Sequence, residues 1–220
     1  MIPPEQNGSF VANMEMVLDV YKRPFDPLYP VVCMDESPKQ LIAETKVPIP
    51  ASPGKTAKQD YEYKRCGVCN VFLSCEPLAG KRTVKITERK TKLDWACFME
   101  EIADQYESAE KITLVMDNLN THNPGALYES FPPDKAKALW DRFQFVYTPK
   151  HGSWLNMAEI ELNVLSQQCL KRRIDHIDIV KKEVAAWQKA RNNKGAKVNW
   201  QFTAEDARIK LRRLYPTLDG

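Results

Sequence analysis

Residues 112–118 read ITLVMDN, a mostly apolar run closed by an acid, and residues 31–35 read VVCMD, which repeats the pattern. Short apolar runs bounded by polar residues mark strands buried on both faces. A carboxylate at the tip of such a strand is held rigidly yet opens to solvent, as a metal ligand must. The alternative is a turn or helix-capping aspartate. Two such acids on neighbouring strands repel each other unless a divalent cation or a raised pKa relieves them. Oxygen-only donors favour Mg²⁺, which keeps several waters and so needs only two or three acids. Asp35 and Asp117 are therefore candidate ligands, both expected at strand ends.

Around these strands the pattern is mixed. Phe10, Met14, Val17, Leu18 and Tyr21 recur at helical spacing, and Pro24, Pro27 and Pro30 stop that helix. Residues 36–67 hold few periodic positions and several prolines, which predicts a long loop. Residues 68–77 and 82–87 predict a β-hairpin. Further helices are expected over 95–106, after Pro132-Pro133 with Ala136, Leu139, Trp140 and Phe143 inward, over 157–170 and over 177–191, with a strand within 143–147. A hairpin followed by alternating strands and helices predicts an α/β fold with a mixed sheet and helices on its faces.

The 220 residues are 43% hydrophobic and 28% charged, ordinary for a globular chain. No apolar run approaches the roughly 18 residues of a membrane span. The first residues, MIPPEQNGSF, have neither a basic segment nor an apolar core, so no secretory signal is expected. Six irregularly spaced Cys are then read as reduced thiols of a cytoplasmic protein. Cys66-x-x-Cys69, with Cys75 nearby, is a weak zinc signal without a second pair. The net charge of +3 is uneven: residues 171–220 carry 13 Lys and Arg against 6 Asp and Glu, a net +7, leaving 19 against 23, or −4, for the rest. That suits a polyanion, with a solvated helical face as the alternative.

The third informative stretch is HGSWLNMAEIELNVL, residues 151–165. Here Leu155-Asn156-x-x-Glu159 resembles the Leu-Asn-Pro-x-Glu signature of mariner-like DDE transposases, with Met157 in place of the usual Pro. The lead-in from Thr148 to Asn156 is similar to that of their bacterial insertion-sequence branch, as are VMDNLNTHNP (115–124) and VVCMDESP (31–38). The resemblance spans about Pro3 to Pro216. It implies a ribonuclease-H-like mixed five-stranded sheet with helices on both faces, and a catalytic set of Asp35, Asp117 and Glu159. It further implies two Mg²⁺ ions about 3.5–4 Å apart, with Mn²⁺ able to substitute, that serve in-line cleavage of DNA and joining of 3′-hydroxyl ends. The 41 residues between Asp117 and Glu159 exceed the usual spacing, and the surplus is expected near 132–140.

The resemblance divides the chain into an N-terminal helix and linker (1–30), a catalytic core (31–173) and a basic helical extension packed on it (174–220). Its expected partners are DNA, as transposon ends and target, and a second copy in a homodimer. Only 34 residues precede Asp35, so a helix-turn-helix module is expected in a separate domain or chain. The expected location is the bacterial cytoplasm, at the nucleoid when DNA is bound. His122, Lys150 and His151 are candidate phosphate contacts in loops near the acids, and Lys171, Arg172, Arg173, Lys210, Arg212 and Arg213 are candidates in the basic extension. The rival reading is an inactive remnant that only binds DNA or oligomerises. On a helical wheel Glu161 falls among Met157, Ile160, Val164 and Leu165 while Glu159 lies nearly opposite, so burial alone nominates Glu161. The family register favours Glu159, in the first helical turn.

Overall fold

The computed structural model describes residues 6–117 and 122–217. Its spine is β1 (Val31–Glu44), which pairs antiparallel with β2 (Tyr63–Glu76) along almost its whole length. With β4 (Ile112–Met116) it pairs in parallel, and only over Val31–Cys33. β3 (Lys81–Thr87) adds antiparallel to β2 and β5 (Phe143–Tyr147) adds parallel to β4. The order β3-β2-β1-β4-β5 is the mixed five-stranded sheet expected from the sequence.

The expectation of a loop over 36–67 is corrected, because β1 runs on to Glu44 and β2 starts at Tyr63. Once β4 ends, the outer edge of β1 faces no strand. Residues 36–44 then need no two-sided apolar pattern, and an edge tolerates Pro38. The connection 45–62 carries two isolated bridges, Ile49 with Lys58 and Ser52 with Lys55. For the same reason Asp35 is not at a strand end. It sits inside β1, at the point where β4 stops accompanying it.

Side chains alternate between the two faces of a strand. Cys33, Leu73, Val115 and Val146 share a core with α1 (Gly8–Tyr21), α5 (Met157–Leu165), α6 (Ile177–Asn193) and α7 (Ala204–Lys210). On the other face Val32, Met34, Phe72 and Leu114 pack against α2 (Lys92–Gln105), α3 (Pro124–Ser130) and α4 (Pro133–Asp141). Helix α3 was not foreseen. It is seven residues long, too short to show periodicity, and it starts on an Asn123 side-chain cap with Pro124 in its first turn. Both α3 and α4 lie between β4 and β5, in the interval that lengthens the spacing from Asp117 to Glu159. The helix expected over 157–170 is α-helical only to Leu165, and a wider π-turn follows over Ser166–Leu170.

The outer edge of β3 is covered by α6. Gln188 accepts from the Val84 N–H at 2.8 Å, and the Asn192 amide both accepts from the Arg82 N–H (2.9 Å) and donates to its carbonyl (2.8 Å). These bonds occupy backbone groups that would otherwise template another strand.

Candidate active site

The parallel register aligns Cys33 with Val115. Two residues further on, Asp35 is level with Asp117, just where β4 ends. Asp35 shares the face of Cys33, the face covered by α5, and Glu159 is in the first turn of that helix.

The start of α5 is tied to β1 by Asn156 and to α1 by Tyr21. The buried Asn156 amide accepts from Ala158 N–H at 3.1 Å, capping the helix, and donates to the Met34 carbonyl at 2.9 Å, next to Asp35. The Tyr21 hydroxyl donates to the Leu155 carbonyl at 2.7 Å and accepts from Met157 N–H at 3.3 Å. The preceding turn needs its glycine, since a Cβ on Gly152 would stand 2.5 Å from the Pro149 ring. Thr148 N–H bonds to the Met116 carbonyl at 2.9 Å, which holds that turn against the end of β4.

The electrostatics single out Asp35. Burial raises its carboxyl to about 7, the charges of Glu36, Asp117 and Glu159 push the same way, and a bond from Glu36 N–H (2.8 Å) offsets them only in part. Two carboxylates from other segments thus act on Asp35 through space, and the chemistry of this all-oxygen set fits a hard divalent cation. Among the described residues no three His, Cys, Asp or Glu side chains are gathered closely enough to form a ready metal shell.

Glu161 is the contrasting acid. It is 1% exposed, and Arg82, equally buried, binds both its oxygens at 2.8 and 3.0 Å, as does Arg191 at 2.7 and 2.8 Å. Burial alone would raise this carboxyl, yet the hydrogen bonds from Arg191 and Arg82 and their charges hold it below the usual range. The wheel placed Glu161 correctly, but its partners are structural cations. Ile160, expected inward, is 39% exposed.

A model of the DDE superfamily endonucleases matches residues 30–181. The chain belongs to that family. Among solved structures, the DDE chain is similar to the Mos1 mariner paired-end complex with Mn (TM-score 0.56, 17% identity, 89% of this chain and 61% of that one). It is also similar to the Mos1 strand transfer complex (0.58, 16%, 89% and 60%) and to the Mos1 mariner paired-end complex with Mg (0.58, 15%, 99% and 66%). At such identities the likeness shows the fold, which is ribonuclease-H-like. The DDE chain spans about three-fifths of the length of the Mos1 chains. No curated protein sequence matches it.

The expected phosphate contacts separate into two groups. Lys150 and His151 are exposed in the turn beside β4, where His151 adopts a positive φ of 65°. Lys171, Arg212 and Arg213 are exposed without an ion pair among the described residues, and Arg172 and Lys210, also exposed, pair with Glu183 at 2.8 Å and Asp206 at 2.9 Å. Two expectations are corrected. Arg173 is largely covered, bonding the Glu44 carboxylate (2.6 Å) and the carbonyls of Asp60 (2.8 Å) and Glu62 (2.9 Å), so it ties down the base of the β1–β2 arm. His122 is 1% exposed and lies between two acids, with Nδ1 2.9 Å from Asp117 Oδ1 and Nε2 3.4 Å from Glu36 Oε2. Its ring stacks on Trp95, and Lys90 pairs with Glu36 at 2.7 Å.

Glu36, Lys90, Trp95, Tyr21 and Arg191 were not singled out from the sequence. The only local signal was the Asp35-Glu36 pair, whose neighbours on a strand face opposite sides. Trp154 packs edge-on against Phe202 in the core. All six Cys are free thiols, and Cys66 is exposed while Cys69 is buried.

An acid whose folded pKa lies above its unfolded value of about 3.9 makes the fold less stable as pH rises from that value through the folded one. Asp35→Asn should therefore leave the metal-free melting temperature unchanged near pH 4. By pH 8 it should raise it, by about 2–4 °C for each kcal/mol recovered. Differential scanning calorimetry across that range checks both points. Glu161→Gln leaves two arginines without their anion and should cost about 3–5 kcal/mol in urea unfolding, with Glu159→Gln near neutral.

Proposed function

We propose that this chain cleaves DNA phosphodiesters and joins 3′-hydroxyl ends by metal-dependent in-line displacement, as a transposase catalytic domain. The observation that carries the reading is the convergence of Asp117 and Glu159 on the partly buried Asp35, whose carboxyl both push up, where β1 outruns β4. Asp35, Asp117 and Glu159 would hold two Mg²⁺ ions, or Mn²⁺ in their place. When bound, such ions polarise phosphoryl oxygens and lower the pKa of an attacking water. The chain's own part is to present these oxygens from a rigid sheet and a capped helix, and to hold phosphate near them through Lys150 and His151. Exposed Lys171, Arg212 and Arg213 would add backbone contacts that position DNA without reading its sequence.

Family membership supports the endonuclease reading, and the similar Mos1 structures include a paired-end complex with a left transposon end. Transposon ends and target DNA are accordingly the proposed substrates and a homodimer the proposed working unit. A helix-turn-helix module, in the same chain or another, would select the ends.

Nicking of supercoiled plasmid in Mn²⁺ is the direct assay. Asp35→Asn, Asp117→Asn and Glu159→Gln should each lose roughly 100-fold or more, equivalent to about 2.7 kcal/mol of transition-state stabilisation. Full activity in any of the three removes that residue from the set. DNA binding without turnover by the unaltered chain would favour the remnant reading instead. In a salt titration of DNA binding, Arg212→Ala and Arg213→Ala should each flatten the slope by about one ion. Arg173→Ala should leave the slope alone and lower the melting temperature.

A further inference from the structure

His122 is an almost fully enclosed polar side chain beside the acids, and its burial demands an explanation. A histidine in a loop normally keeps its ring nitrogens in water, and burying polar atoms is costly unless they are bonded. Here the ring is 1% exposed, with Trp95 stacked on it at 5.5 Å and 21°. Each nitrogen faces a carboxylate. A carboxylate can only accept, so the 2.9 Å contact is an Nδ1–H donated to Asp117 Oδ1. Nε2 lies 3.4 Å from Glu36 Oε2, within ion-pair distance, and neither atom has a hydrogen-bond partner among the described residues. The other oxygen of Glu36 is taken by Lys90, and the Glu36 N–H bonds Asp35. Close contacts between charged or polar groups therefore run from Lys90 through Glu36 and His122 to Asp117, with the Glu36–His122 step the longest.

We propose that His122 is a positioning residue. It fixes the rotamer of Asp117 and takes up Oδ1, so that Oδ2 is the oxygen offered to a cation. Glu36 and Trp95 in turn hold the imidazole. Asp117 has need of this, because it lies one residue beyond β4 and outside the strand pairing that makes Asp35 rigid. An untethered carboxylate there would lose rotamer freedom on binding, and the bond from His122 removes that freedom beforehand. The inference rests on the reading of Asp117 as a ligand and deepens it.

Two measurements on the full chain test it. The first needs no metal: ¹⁵N-histidine NMR at neutral pH, with the three histidines distinguished by His122→Asn. Nδ1 of His122 should carry a slowly exchanging proton, and Asp117→Asn should shift its resonance. An unprotonated Nδ1 overturns the proposal. The second is Mn²⁺ affinity by electron paramagnetic resonance. His122→Phe keeps the stacking on Trp95 but deletes the donor, and should weaken Mn²⁺ binding by about 10–100-fold. His122→Asn keeps an N–H that can reach Asp117 and should stay within about threefold of the unaltered chain. Unchanged affinity in His122→Phe, or equal loss in both variants, overturns the positioning role. If His122→Phe fails to fold, the asparagine variant and the tautomer decide. Should the unaltered chain bind no Mn²⁺, the metal reading of the site fails, while the tautomer still decides the bond to Asp117.

Discussion

The parallel ladder between β1 and β4 lasts three residues, Val31–Cys33 against Thr113–Val115, and the geometry of the site follows from where it stops. While the two strands run together, their side chains are locked into the cores on either face. When β4 ends, β1 continues with β2 alone, and the sheet opens a notch at its middle rather than at its rim. Asp35 and Asp117 stand level at that notch. Asn156 completes it by bonding the Met34 carbonyl, so the helix bearing Glu159 is tied to the strand bearing Asp35. Without that stop, position 35 would have to be apolar like Cys33.

A buried acid and a half-buried one show how the chain distributes its charge. Glu161 meets Arg82 and Arg191 in paired hydrogen bonds, and its carboxyl is held low. Asp35 meets Glu36, Asp117 and Glu159, and its carboxyl is pushed up to about 7. Burial acts in the same direction on both, so the partners decide the outcome. Glu161, inside the fold, is fully paired, whereas Asp35 is offset only in part by the Glu36 N–H and leaves room for a ligand to do more. An acid held above its ordinary range costs the fold stability at neutral pH, the kind of cost that functional sites commonly carry.

The basic C-terminal quarter is partly committed in the same way. Arg173 and Arg191 are bound to carboxylates of the core and the arm, and Arg172 and Lys210 pair locally with Glu183 and Asp206. With Lys181 and Arg208 also in surface pairs, the exposed cations outside any ion pair among the described residues are a smaller set, Lys171, Lys182, Lys189, Lys194, Lys197, Arg212 and Arg213. Counting charge along the sequence therefore overstates the surface open to a polyanion.

Sequence alone was sufficient for the two apolar strands, the hairpin and most of the helices, because each is written in local periodicity, and for the resemblance carried by Leu155-Asn156-x-x-Glu159, a contiguous motif. It could not reveal that 36–44 is strand, since an edge paired on one side does not demand an apolar pattern. Nor could it separate Glu159 from Glu161 on physical grounds, because the arginines that neutralise Glu161 come from positions 82 and 191, distant in the chain. His122 looked like a loop residue free to meet phosphate. Only the fold, by bringing Glu36, Trp95 and Asp117 around it from three elements, turned it into a buried bridge, since burial and charge pairing are properties of contacts between segments that no local stretch of sequence contains.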